Sequence, residues 1–251
     1  MNNILIAHKN HDIYFNIAQE NLRNAEKIYQ EILTSNKVIH VGEKYLHING
    51  ETEKTSSWLR LKLLKIKKLV LASVIFSALA AEAFINFYAI SKGMSYEELE
   101  AKDFRFSQYY KTEKMSPEDR QQQNYLPYEQ RTDIKEWVAV TKNDGGYNIS
   151  STVKKWIEIP KKFTENYIPS GLEGSRIYEL DNLFKLRNNL VHHKATIFTL
   201  DIESFDLKSA EDKNYVDIEN ARFAVGLVIK IVKALQYIDS SVVLDWLDYL
   251  E

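Results

Sequence analysis

Three side chains suited to phosphodiester chemistry stand within six residues of one another in Arg187-Asn188-Asn189-Leu190-Val191-His192. A histidine titrates near neutrality and moves protons. An arginine offers forked donors to a phosphate whose negative charge grows in the transition state. An asparagine orients the imidazole or a phosphate oxygen. Together they fit cleavage of RNA without a metal or other cofactor. His192 would handle the 2′-hydroxyl or leaving-group proton, Arg187 would stabilise the pentavalent phosphorane, and Asn188 would hold geometry. The adjacent His193 receives no role.

These residues fall on a helix expected from Arg176 to about Lys194. At 100° per residue, Leu180, Leu183, Phe184, Leu190 and Val191 form one apolar stripe with Arg187 in its middle, while Asn188 and His192 share the flank and His193 turns away. A guanidinium in a core-facing stripe is costly unless paired, because it cannot lose its charge. A candidate partner is Glu82, the one charge in the apolar stretch Leu69 to Ile90, which is otherwise broken only by Ser73, Ser77 and Asn86. Arg187 therefore has two readings, a structural ion pair and a phosphate clamp. The stretch around Glu82 is long enough to span a bilayer and is flanked by Lys65, Lys67 and Lys68. Its internal glutamate, its many alanines and the lack of a second such segment favour the central helix of a soluble bundle over a membrane span.

The rest of the chain supplies a helical frame with two irregular regions. Periodicity predicts helices over Asp12 to Leu33, Ser56 to Lys92 (stopped at Gly93), and Asp217 to Ile238, with a short terminal helix over Ser240 to Leu250. Lys37 to Ile48 reads as a short hairpin, and Thr196 to Leu207 as an edge strand beside it. Residues 93–150 read as an insertion with short helices, one from Ser116-Pro117 and another over Glu129 to Thr141. Ser151 to Asn166 is expected as a helix interrupted at Pro160. The fold class expected is mainly α, a helical bundle with a small β decoration, forming one domain over residues 1–251.

The Arg-Asn-x-x-x-His spacing of Arg187, Asn188 and His192, following an earlier apolar helix with isolated Glu82 and Asn86, resembles the HEPN superfamily. The resemblance implies an α-helical bundle and, in many members, a metal-independent endoribonuclease of toxin–antitoxin, phage-defence or RNA-processing systems. It also implies that Arg187, Asn188 and His192 form the active site, usually completed by a second copy across a homodimer. Glu82 and Asn86 enter only as supporting residues. The resemblance covers the bundle elements and leaves out the hairpin and the insertion. Some members instead pair with a nucleotidyltransferase, and an antitoxin or neighbouring-gene partner fits the same frame. The competing class is a non-catalytic interaction module in which Arg187 is structural.

Composition bounds these readings. The 251 residues are 45% hydrophobic and 27% charged, normal for a chain with a real core. A net charge of −2, from 33 basic and 35 acidic residues, argues against coating of duplex nucleic acid, so contact with RNA should be local. The absence of cysteine excludes disulfides, thiolate metal sites and a cysteine nucleophile, and fits the cytoplasm. His8-x-x-His11-Asp12 has some metal-ligand character but no second ligand cluster, and Gly171-x-x-Gly174 lacks the residues of a phosphate-binding loop. The aromatic and basic stretch Phe104 to Lys114 suits either base stacking or packing onto the bundle.

Overall fold

The computed structural model describes residues 10–35, 38–41, 45–48, 53–127, 130–131, 134–171, 174–192 and 217–247. Its organising element is helix α2 (Glu53–Ser91), against which α1 (Asn10–Leu33), α6 (Ser151–Thr164), α7 (Arg176–His192) and α8 (Ile218–Ile238) pack. Val70, Val74, Ala78, Ala81, Ile85 and Ala89 of α2 are buried. Small side chains at this helical spacing let neighbouring helices approach closely, so the alanine-rich half of α2 forms the bundle's centre. Among the described residues one helical span, Ser57–Ser91, is long and apolar enough to cross a membrane, and half of its most apolar window is buried against the rest of the chain.

Contacts at the helix ends set direction. Lys62 pairs with Glu31 at 2.6 Å, while the His11 ring lies 5.3 Å from Phe84, so α1 and α2 run antiparallel. The last helix begins on an Asp217 capping box with Asn220 and ends where Asp239 accepts from Tyr88 at 2.7 Å and from Lys92 at 2.6 Å. It therefore runs parallel to α2. Partial burial works to raise the Asp239 carboxyl, but the hydrogen bonds from Lys92, Tyr88 and Ser241 outweigh it and hold that group well below the usual carboxylate range. Gly93 follows α2 at φ +91°, where a left-handed residue closes the helix. Between these helices the Phe84 ring stacks with both Trp156 and Trp246. Trp156 is fully buried, and truncating such a residue costs about 3–5 kcal/mol.

Residues 93–150 differ from the expected string of helices. After single turns α3 (Tyr96–Leu99) and α4 (Lys102–Arg105), strand β3 (Gln108–Lys114) is the middle of a three-stranded antiparallel sheet, with α5 (Pro117–Gln123) following it. The segment expected as a helix over Glu129 to Thr141 contains instead strand β4 (Ile134–Val140), paired with β3, and β5 (Tyr147–Ile149) pairs on the other side. Trp137 is buried and Val138 exposed, the alternation of a half-buried strand. Gly146 lies where an added Cβ would overlap Val140 Cγ2, which fixes glycine at the close approach of β5 to the sheet. The sheet is tied to the bundle by the buried Tyr110, whose hydroxyl donates to Glu158 at 2.6 Å. Phe104 is half-buried against the core, so much of the aromatic stretch is packing, although Phe106 remains exposed.

Three smaller differences follow. Helix α6 runs through Pro160 without interruption, and of the terminal segment expected as a helix over Ser240 to Leu250 the described part, up to Leu247, holds a 3-10 turn over Asp245–Leu247. Strands β1 (Val38–Val41) and β2 (Tyr45–Ile48) form the expected hairpin. The edge strand expected over Thr196 to Leu207 lies outside the described residues. The structure is mainly α with small antiparallel β elements.

Candidate active site

Helix α7 carries Leu180, Leu183 and Phe184 fully or almost fully buried, and this stripe aims the next position along it, Arg187, at α2. At the start of α7, Asp181 is buried, receives Lys185 at 2.5 Å and lies 3.5 Å from the Ser150 amide at the α6 N-cap. These contacts fix α7 against α6, and both helices then meet the Glu82 and Asn86 face of α2.

Arg187 Nη2 donates to Glu82 Oε2 at 2.9 Å. The other carboxylate oxygen, Oε1, accepts from Thr152 Oγ1 of α6 at 3.3 Å. One turn along α2, Asn86 Oδ1 accepts from Lys155 Nζ at 2.9 Å. Burial pushes the Lys155 ammonium down from its ordinary value, opposed by the nearby Glu82 and Glu100 carboxylates. The guanidinium carbon of Arg187 sits 5.6 Å from the centre of the Phe184 ring. Side-chain exposure is 21% for Arg187 and 34% for Glu82, so the pair sits at the edge of the core with water on one side. Arg187 Nε is buried and has no hydrogen-bond partner among the described residues. Among the described residues the guanidinium makes one hydrogen bond, to Glu82.

Exposure rises along the motif beyond Arg187. Asn188 is exposed and Leu190 half-buried. Val191, expected within the apolar stripe, is 53% exposed. Its position is 40° off that of Arg187, and the end of α7 has run past the packed core. His192 is the last residue of α7, one turn beyond Asn188, and His193 lies outside the described residues. Thus Arg187 and Glu82 meet directly, Asn86 sits one turn from Glu82, and Asn188 and His192 follow along the same helix.

Sequence reasoning missed Thr152 and Lys155, each of which directly precedes a buried residue, Val153 and Trp156, with no spacing of its own to mark it. The metal reading of His11 gives way to packing. Its ring is buried and lies 4.7–5.3 Å from those of Phe84, Phe87 and Trp246. His8 lies outside the described residues. Gly171 and Gly174 form an isolated bridge with mutual backbone hydrogen bonds, a turn leading into α7. No protein-family model matches the chain, and no curated protein or solved structure is similar to it at a significant level.

Proposed function

We propose that the chain is a metal-independent endoribonuclease of HEPN type, working as a homodimer with its α7 helices facing across a shared cleft. The observation that carries this reading is the state of Arg187. It is held in place by its bond to Glu82, a fifth of its side chain reaches solvent, and it stands beside exposed Asn188. A preorganised cation that reaches solvent is what a developing phosphorane requires. In this scheme the RNA 2′-oxygen attacks the adjacent phosphorus as its proton passes to a base. The P–O5′ bond breaks, and the departing 5′-oxygen takes a proton. His192 serves in these transfers, Arg187 neutralises the equatorial oxygens, and Asn188 orients the phosphate or the imidazole. The products are a 2′,3′-cyclic phosphate and a 5′-hydroxyl.

Purified protein, labelled RNA and excess chelator test the proposal through end-group analysis. Single-stranded RNA should be cut and DNA, which lacks the nucleophile, should not. His192→Ala should lower the rate by roughly 10²–10⁴-fold while His193→Ala leaves most of it. A requirement for magnesium, 5′-phosphate ends, or full activity in His192→Ala refutes the mechanism. One observation favours a second reading: the Arg187–Glu82 pair also serves as an interhelical tie. On that reading the chain is a non-catalytic helical module that binds an antitoxin, a nucleotidyltransferase or another neighbouring-gene product. Absence of cleavage of every RNA, alone and with such a partner, favours it.

A further inference from the structure

A cavity of about 330 Å³ opens beside the candidate site, walled by Glu82, Ala83, Asn86 and Phe87 of α2, by Tyr14 of α1 and by Tyr96 of α3. Its size is at the lower end of the roughly 300–1,000 Å³ typical of small-molecule sites. Aromatic rings and aliphatic side chains share the walls with three polar residues, Glu82 and Asn86 side by side on α2 and Asn10 at the start of α1. Glu82 belongs to both the cavity and the Arg187 pair, so a group seated here lies one side chain away from Arg187.

The polar wall has a definite sense. An ionised Glu82 only accepts, and although Arg187 and Thr152 each use one of its oxygens, a carboxylate oxygen carries more than one lone pair. A third of the side chain stays exposed. Asn86 spends its carbonyl on Lys155, which leaves the two N–H donors of its amide nitrogen to offer. The two residues are four apart on one helix face, about 5–6 Å. The wall therefore presents an acceptor of negative charge beside a donor. Among the RNA bases, guanine alone carries two neighbouring donors, N1–H and N2–H, next to an acceptor, O6. Adenine and cytosine offer a carboxylate one exocyclic amine beside ring nitrogens that repel it, and uracil offers a single N–H between two carbonyls. Tyr96, at the rim and 58% exposed, is placed to cover a base with its ring.

We infer that this cavity is a guanine subsite, in which Glu82 accepts from N1–H and N2–H, Asn86 donates to O6, and Tyr96 stacks on the base. The inference rests on the reading of Arg187 as a clamp for RNA phosphate, and it makes cleavage selective for positions next to guanosine. Calorimetric titration of the full chain with guanosine 3′-monophosphate, and separately with the adenosine and cytidine 3′-monophosphates, tests it. Guanosine should bind at least about tenfold more tightly than either. Ala83→Trp fills the cavity from a residue outside the Arg187–Glu82 pair, and Asn86→Asp replaces the donor by an acceptor. Each should abolish the preference while circular dichroism stays unchanged. Tyr96→Ala, on the surface, gives a reading that does not depend on tolerance of the core, and should weaken guanosine binding roughly five- to tenfold or more. Equal binding of the three nucleotides, binding of none, a guanosine preference that survives Ala83→Trp, or guanosine binding that is undiminished in Tyr96→Ala overturns the subsite. The nuclease is judged separately. RNA cleavage without guanosine preference, in binding or in cut position, removes the subsite alone. Guanosine-selective binding without cleavage removes the nuclease and leaves the subsite standing.

Discussion

Replacing Arg187 by alanine should cost the protein about 1–2.5 kcal/mol and nearly all of its proposed activity. Exposed ion pairs contribute about 0–1 kcal/mol, whereas removing one partner of a buried pair costs about 3–5 kcal/mol. The Arg187–Glu82 pair lies between these cases, with exposures of 21% and 34%, and solvent screening discounts it accordingly. After the substitution Glu82 keeps Thr152 as a donor and gains water, so it is not left as an isolated buried charge. Loss of the cation over the Phe184 ring adds about 0.5–1 kcal/mol, which is included in the total. For a chain of this length each kcal/mol lowers the melting temperature by about 2–4 °C, so the expected drop is roughly 2–10 °C. Cleavage of RNA should fall by about 10²–10³-fold or more, the effect of removing one preorganised donor to a developing oxyanion. Thermal denaturation and cleavage rates on the same preparations provide the assay, with Glu82→Gln and the double variant completing a cycle whose coupling should be about 1 kcal/mol. A stability loss above about 4 kcal/mol, with no cleavage by the parent protein, would show that Arg187 is a structural ion and that the clamp reasoning fails.

Other perturbations test the frame around the site. Asp239 has a carboxyl held below its unfolded value near 3.9, so its contribution is present above that pH and is lost as pH falls through the folded value. The melting-temperature gap between the parent and Asp239→Asn should therefore be constant from pH 7 to about 5 and shrink below about 4, and a gap that widens in acid contradicts the assignment. Tyr110→Phe removes the 2.6 Å bond to the half-buried Glu158 and should cost about 1–2 kcal/mol in chemical denaturation, with no loss counting against that tie between sheet and bundle. Gly146→Ala drives a methyl into Val140 and should destabilise the three-stranded sheet by about 1–3 kcal/mol, read as faster amide exchange in β3 and β5, and unchanged exchange there refutes the close-approach argument.

Much of the bundle was legible because its elements are locally consistent. The periodic apolar positions of α1 and α8, the Asp217 cap, Ser116-Pro117 before α5 and Gly93 after α2 each carry their own signal. Glu82 was legible as the partner of Arg187 because a lone charge in an apolar helix has few ways to be satisfied. Strand β4 was not read correctly. Its Trp137-Val138-Ala139-Val140 run has strand formers, but a seven-residue segment this short has no strong period of its own, and pairing with β3 decides its state. Thr152 and Lys155 were missed for a related reason. Their role depends on where α6 crosses α2, which no spacing within α6 encodes. Pro160 was weighed too heavily. Its removal of one donor does not break a helix whose surrounding Trp156, Ile157 and Ile159 are all buried in the core.

The tie between α2 and α7 also bears on the order in which the chain can fold. Glu82 and Arg187 are 105 residues apart, and Tyr88 and Asp239 are 151 apart, whereas β3 finds its partners within its own neighbourhood. At about 5–20 residues per second of synthesis, the interval between the emergence of Glu82 and that of Arg187 is roughly 5–20 s. During that time α1 and α2 can form an antiparallel hairpin, and the three-stranded sheet can assemble beside it. The apolar flank of α2 that α6, α7 and α8 later cover is meanwhile open to water. The nascent protein thus spends seconds with its most apolar helix half-sheathed, a stage at which aggregation competes with folding and a chaperone has its natural substrate.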